Sequence, residues 1–290
     1  MTRNERKVKV ELYNDNFQNF KRYNIPKAQL VIADIPYNVG NNFYGSNPMW
    51  YNGGDNRNGE SKLAGKAAFY TDYNFNIAEY FHFCNRLLKK EPTKSNGRGK
   101  SSDAPCMIVF CAFEQIQTVI NNAEKYGFKK YIPLVFCKNY SPQVLKANMR
   151  ICGATEYALV LYRDKLPKFR NEGHMVFNWF LWKRDGDQYP KIHPAQKPVS
   201  VLKQLIEIFT DPGDVVIDPC AGSGSTLRAA YELGRSAYGF EISKSFYKQA
   251  QEKMLVINKK EILGDAEQIS MEEMEENHYE RCIDSWSDKG

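Results

Sequence analysis

The chain has 290 residues, with 40 Lys+Arg against 34 Asp+Glu for a net charge of +6, 42% hydrophobic and 26% charged residues. That length suits one large domain or one and a half, and the apolar fraction supports a buried core, which excludes a wholly disordered chain. No apolar run reaches the ~18–20 residues that span a bilayer, and no apolar stretch follows the charged first residues, so a soluble, intracellular protein without a signal peptide is expected.

Residues 8–13 alternate in polarity and predict a strand ending at Asn14. Residues 29–34 form a nearly continuous apolar run closed by Asp34 and Pro36, the pattern of a buried parallel strand. Residues 38–72 are rich in Asn, Gly and Tyr with little apolar period, and such a long irregular stretch is usually functional or mobile. A helix over 75–90, a polar linker over 91–105, a second buried strand over 106–111 and a helix over 115–126 follow, the last stopped by a left-handed cap at Gly127. Strands are predicted at 131–136, where Pro133 suggests a sheet edge or a late start, and at 156–162. Residues 164–192 mix charges with Phe169, Phe177, Trp179, Phe180, Trp182 and Tyr189 and show no clear period. A helix at 199–209, a strand at 214–218, a glycine-rich turn, a helix at 226–233, a strand at 237–241 and a helix at 244–255 complete the body. This alternation predicts an α/β fold, a mostly parallel sheet with helices on both faces.

Residues 261–290 carry ten acidic and two basic side chains, a net of −8, which leaves +14 on residues 1–260. A basic body suits a polyanionic partner, although a solvated lysine-rich surface gives the same count. Seven cysteines (Cys84, Cys106, Cys111, Cys137, Cys152, Cys220, Cys282) form no C-x-x-C pair, and His82, His174, His193 and His278 are scattered. A disulfide framework, a structural zinc and a catalytic metal are therefore not expected.

Two turns stand out. Asp218-Pro219-Cys220-Ala221-Gly222-Ser223-Gly224-Ser225-Thr226 lies between a buried strand and a helix, at the carboxyl end of the strand, where open α/β sheets bind ligands. It lacks the Lys of a triphosphate cradle and the third glycine of a dinucleotide fingerprint. Glu241 ends the next strand, where an acid can accept hydrogen bonds from ribose hydroxyls, so a nucleoside-bearing cofactor fits best; an ordinary βα turn remains the plain alternative. Asp34-Ile35-Pro36-Tyr37 ends the other apolar strand. Ile35 precedes a proline and is biased away from helix, which can aim its carbonyl into a cleft beside the Asp34 carboxylate. That acceptor pair can hold the two hydrogens of an exocyclic amine, and Tyr37 offers a face for stacking a base. An ordinary strand-end turn would read the same way.

Taken together, the two turns resemble the S-adenosylmethionine-dependent amino-DNA methyltransferases that act on adenine N6 or cytosine N4. Residues 34–37 match their catalytic D-P-P-Y, and residues 218–226 match their cofactor loop D-P-F-x-G-S-G-T-T. The catalytic motif precedes the cofactor loop, as in the β subgroup, and the resemblance covers residues 8–255. Ile35 replaces the second-position proline, which a role through the carbonyl tolerates; Cys220 replaces an aromatic and Ser225 a threonine.

The resemblance implies a Rossmann-like sheet divided into a catalytic part over 1–163, a small inserted target-recognition region over 164–192, a cofactor-binding part over 193–260 and an acidic tail over 261–290. It implies Asp34, Ile35, Pro36 and Tyr37 as catalytic residues. For S-adenosylmethionine it implies the loop 218–226, Glu241 and Ile242 at the ribose, Ala195, Gln196 and Lys197 at the methionine end, Asp34, and Asp15 with Asn16 at the adenine ring, where Asp265 competes with Asp15. Asn38, Asn41 and Asn42 could read base edges, and Lys138, Lys146, Arg150, Lys168, Arg170, Lys183 and Arg184 could meet phosphates of double-stranded DNA, or form a basic exposed face. The implied activity is methylation of adenine N6 in a specific duplex sequence in the cytoplasm, with N4-cytosine methylation or a non-catalytic nucleic-acid-binding subunit as alternatives. A homodimer is implied; a restriction endonuclease partner and the recognition sequence are not legible.

Overall fold

The computed structural model describes residues 8–37, 75–93, 102–139, 143–146, 151–193 and 195–256. Asn38, Asn41, Asn42, Arg150, Asp265 and the acidic tail lie outside the described residues, as do the side chains of 143–146, 151 and 152.

Eight strands form the main sheet. In chain order they are β1 (Val10–Tyr13), β2 (Leu30–Asp34), β3 (Cys106–Cys111), β4 (Lys130–Lys138), β7 (Thr155–Tyr162), β8 (Trp179–Trp182), β9 (Val215–Asp218) and β10 (Ser236–Phe240), and β5 (Gln143–Lys146) pairs with β6 (Ile151–Gly153) in a separate hairpin. The spatial order is β1-β10-β9-β2-β3-β7-β4-β8. All pairings in it are parallel except those of β7, which runs antiparallel to both β3 and β4. The expected mostly parallel sheet is therefore present, with one reversed strand.

Period-two alternation splits each central strand between two cores. Leu30 and Ile32, with Cys106, Ile108 and Phe110, face one side, where α3 (Val199–Phe209), α4 (Ser225–Glu232) and the end of α5 (Lys244–Gln249), continued by a π turn to Met254, pack. Val31, Ala33, Met107, Val109 and Cys111 face the other, covered by α1 (Ile77–Leu87), α2 (Ile116–Lys125) and the 3-10 turn Phe17–Arg22. Such two-sided burial is why these strands read as unbroken apolar runs. Gly127 has φ +86° after α2, as its cap position requires.

Pro133 lies inside β4, a strand with neighbours on both sides. Val135 donates its N–H to Asn178 O on the β8 side, so the missing N–H of Pro133, two residues earlier, falls on that same side. β8 pairs only from Val135 onward, so no ladder bond is lost. The segment 164–192 contains β8, whose Phe180 and Trp182 belong to the main core; it is therefore not a purely inserted region. Among the described residues no helix is long and apolar enough to cross a membrane.

Candidate active site

Sheet register brings the two motif turns to one rim. Gly239 of β10 stands beside Asp218 of β9, and Val31 of β2 beside Ile217, so Asp34, Asp218 and Glu241 all emerge at the carboxyl ends of adjoining parallel strands. Glu241 continues the ladder by donating its N–H to Tyr13 O, and Asn14 Nδ2 donates to Glu241 O at 2.8 Å. One cavity at this rim is lined by Asp34, Ile35, Pro36 and Tyr37 together with Asp218, Gly222, Glu241 and Lys197.

The glycine turn is held tightly. Ala221 N donates to Phe240 O, and Gly222 and Gly224 have φ of +52° and +80°, a region other residues enter only with strain. A Cβ on Gly239 would meet Leu227 at 2.8 Å and the Asp218 carbonyl at 3.2 Å, so β10 needs glycine there for the turn and α4 to close. A Cβ on Gly222 would meet only His193, at 4.0 Å, which leaves the backbone open to a ligand. Burial pushes the Asp218 carboxyl up to about 7, although it accepts from Cys220 N at 2.9 Å. Burial, with the Lys197 charge, pulls His193 down to about 4, so its ring is neutral at physiological pH.

The turn of residues 34–37 is pinned from both sides. Ile35 N donates to Phe110 O at 3.2 Å, and Gln115 Nε2 donates to Pro36 O at 2.9 Å while its Oε1 holds Ala112 N. Asp34 Oδ2 accepts from Lys197 Nζ at 2.5 Å. Asp34 Oδ1 is buried without a hydrogen-bond partner among the described residues. Buried carboxylate oxygens are almost always satisfied, and Asp34 is one of the residues that line the cavity.

Lys197 is itself buried. Its ammonium lies 5.7, 5.3 and 5.4 Å from the ring centres of Tyr37, Phe110 and Trp182 and 3.1 Å from Glu156. Glu156 also pairs with Lys138 and accepts from Tyr37 OH at 3.1 Å. Burial pushes Asp34 up, the Lys197 ammonium and the nearby Tyr37 hydroxyl oppose it and the Glu156 charge adds to it; the net shift is upward. For Glu156 the two ammonium groups outweigh burial and the net shift is downward. Burial depresses Lys197, but the two carboxylates outweigh it and keep it charged.

Most residues expected at the cofactor line this cavity: Asn16, Asp34, Ala195, Gln196, Lys197, Asp218, Pro219, Cys220, Ala221, Gly222, Ser223, Ser225, Thr226, Glu241 and Ile242. Gly224 instead caps α4. Asp15 is turned away from the cavity: its carboxylate accepts from Asn16 N, Asn19 Nδ2 and Tyr23 OH at 2.6–2.8 Å, bracing the 3-10 turn, so Asn16 and Phe17 line the place assigned to it. Phe17, Phe240 and Phe246 supply apolar walls, and Glu156 a charge, none of which the motifs named.

The expected phosphate contacts divide. Lys183 and Arg184 are exposed just past β8, on the catalytic rim. Lys138 is buried against Glu156 and Trp182. Lys168 and Arg170 correct the expectation: they sit at the opposite rim, where Lys168 is buried between Asp211 and Asp214 at 2.7 and 2.6 Å and Arg170 pairs with Asp211 and Asp103. Their charges serve carboxylates of the protein. Lys146 lies in β5, and its side chain is among those outside the described ones.

A family model described as DNA methylase matches residues 28–252. The chain is 28% identical over 263 residues to the DNA adenine methyltransferase YhdJ of Escherichia coli, covering 85% of this chain and 83% of that one. It is 31% identical over 176 residues to the type II methyltransferase M.MjaI of Methanocaldococcus jannaschii, covering 52% of this chain and 58% of that one. In fold it is similar to M1.HpyAVI in complex with SAM (TM-score 0.59, 21% identity, covering 85% and 100%) and to the cytosine-N4-specific PvuII DNA methyltransferase (TM-score 0.59, 16% identity, covering 88% and 90%).

Proposed function

The chain belongs to the DNA methylase family, and from that premise we propose that it methylates the exocyclic N6 amine of an adenine flipped out of double-stranded DNA. The observation that carries the reading is that Asp34, whose Oδ1 has no hydrogen-bond partner among the described residues, lines the same cavity as the glycine turn. The donor set fits S-adenosylmethionine. Glu241 would accept from the ribose hydroxyls, Phe17, Phe240 and Ile242 would wall the purine, and Asp218 with the open backbone at Gly222 would take the methionine end. When bound, that cofactor supplies a methyl group already activated on a sulfonium.

This chain's residues then do the rest. An adenine amine is a poor nucleophile because its lone pair is delocalised into the ring. Asp34 Oδ1 and the Ile35 carbonyl would each accept one N–H, which localises that lone pair and aligns it. Tyr37 would stack on the extruded base. As positive charge grows on the nitrogen, the Asp34 carboxylate stabilises it. Adenine is favoured over cytosine because the Escherichia coli relative is an adenine methyltransferase. The same reading places the protein in the cytoplasm, on DNA, as a homodimer, which sedimentation tests.

Digestion of DNA from cells expressing the chain and mass spectrometry of the nucleosides should show N6-methyladenine; N4-methylcytosine alone would overturn the adenine assignment. Asp34→Ala should abolish the product and leave S-adenosylmethionine affinity, measured by calorimetry, nearly unchanged. An active Asp34→Ala variant would remove the amine-acceptor role.

A further inference from the structure

Glu156 is the second residue of β7, the one antiparallel strand of the sheet, and that reversal is what delivers the start of β7 to the rim where the parallel strands end. Both of its oxygens are engaged. Oε1 meets Lys138 at the end of β4, while Oε2 accepts from Tyr37 OH and from Lys197 Nζ, each at 3.1 Å. Lys197 in turn reaches Asp34 Oδ2. One carboxylate oxygen thus ties together the aromatic ring and the ammonium that flank the target-base position.

We propose that Glu156 is a positioning residue for methyl transfer: it anchors Lys197 so that the ammonium occupies Oδ2 of Asp34 and leaves Oδ1 for the incoming amine, and it fixes the Tyr37 ring through its hydroxyl. The inference rests on the reading of Asp34 as the amine acceptor. Without Glu156, the Lys197 ammonium has a single carboxylate partner and is free to straddle both oxygens of Asp34, closing the acceptor. Lys138, over the Trp182 ring, supplies the counter-charge that lets a second carboxylate lie this close to Asp34. Among the described residues, the charged and titratable groups facing Asp34 are Lys197 before α3, Glu156 on β7, Tyr37 of its own turn, Asp218 on β9, Cys220 in the glycine turn and Cys111 on β3.

The sign of the electrostatics separates this role from that of an ordinary buried ion pair. The acid limb of the pH–rate profile reports ionisation of Asp34. Glu156→Gln removes a negative charge near it and should move the limb to lower pH. Lys138→Met removes a positive charge and should move it to higher pH. In Glu156→Gln, kcat should fall on the order of tenfold to a hundredfold, the cost of a misplacement of about 1 Å, with S-adenosylmethionine affinity by calorimetry unchanged.

The test is methylation of duplex DNA by purified wild type and both variants, across the pH range of activity, with melting curves. Opposed limb shifts with a kcat-specific loss support the proposal. Unshifted limbs, limbs that move together, or equal losses of kcat and cofactor affinity overturn it. If Glu156→Gln does not fold, the neutral pair Lys138→Met with Glu156→Gln replaces it; the same kcat loss then supports the proposal and wild-type kcat overturns it. A wild type that methylates no DNA would instead count against the underlying reading.

Discussion

Lys197 keeps its charge inside an aromatic box because two carboxylates meet it there, at 2.5 Å for Asp34 and 3.1 Å for Glu156. Removing one partner from such a buried set costs about 3–5 kcal/mol, since it strands the opposite charge. Lys197→Met should therefore lower the free energy of urea unfolding by about that much and abolish methyl transfer. The pH dependence has a definite sign. Glu156 is shifted below its unfolded value of 4.5, so its stabilisation is complete above that pH and is lost as pH falls towards its folded value. Asp34 is shifted the other way and opposes part of this on the same acid side. Glu156→Gln should flatten the fall of the melting temperature with acid; an unchanged acid slope would contradict the pairing. Asp34 and Lys197 are both legible as motif residues in the sequence, and the structure adds that Lys197, which lines the cavity, contacts Asp34. Glu156 was not legible. It stands within Thr155–Tyr162, a run whose inner residues are apolar, and only the contacts of an antiparallel strand reveal that a lone acid at the strand's start faces two lysines from distant segments.

The strands were legible because two-sided burial writes itself as apolar runs, and the helices because their apolar faces recur every three to four residues. Direction is not written in periodicity, so the reversal of β7 could not be read from residues 156–162. β8 was missed because four residues, Trp179–Trp182, are too few to show a period among neighbouring aromatics. The same segment also controls where Lys197 sits. α3 begins after Pro198 without a cap of its own, and Asp185, three residues past β8, accepts from Val199 N at 2.7 Å and from Ser200 N at 3.2 Å. Those are amides that the first turn of a helix leaves without partners. Asp185→Ala should cost about 1 kcal/mol of stability, measured by denaturant unfolding. It should also lower kcat more than it weakens cofactor binding, because the turn carrying Lys197 loses its anchor. Equal effects on both would mean that the cap supports the fold alone.

At the scale of the molecule, charge is sorted between the two rims of the sheet. At the amino-terminal rim, Lys168, Lys89 and Arg170 neutralise Asp211, Asp214 and Asp103 in a closed network. At the carboxyl rim, Lys183 and Arg184 are exposed just past β8. A sequence count sees all of these as one basic excess, and only the topology separates the cations of one rim from those of the other. The two groups should therefore respond differently to salt. Each phosphate contact contributes about −0.9 to the slope of log affinity against log salt. Replacing Lys183 and Arg184 together by Gln should weaken duplex binding and make that slope shallower by roughly 1–2. Lys168→Met should do the reverse. It takes the buried shared ammonium from Asp211 and Asp214, which keep Arg170 and Lys89, and lowers stability, while the salt slope of DNA binding stays that of the wild type. Fluorescence anisotropy on a labelled duplex over a salt series, run beside thermal melts, measures both. A slope that changes with Lys168 and not with Lys183 and Arg184 would mean that DNA approaches from the other rim, where the methyl donor and the Asp34 carboxylate could not reach it.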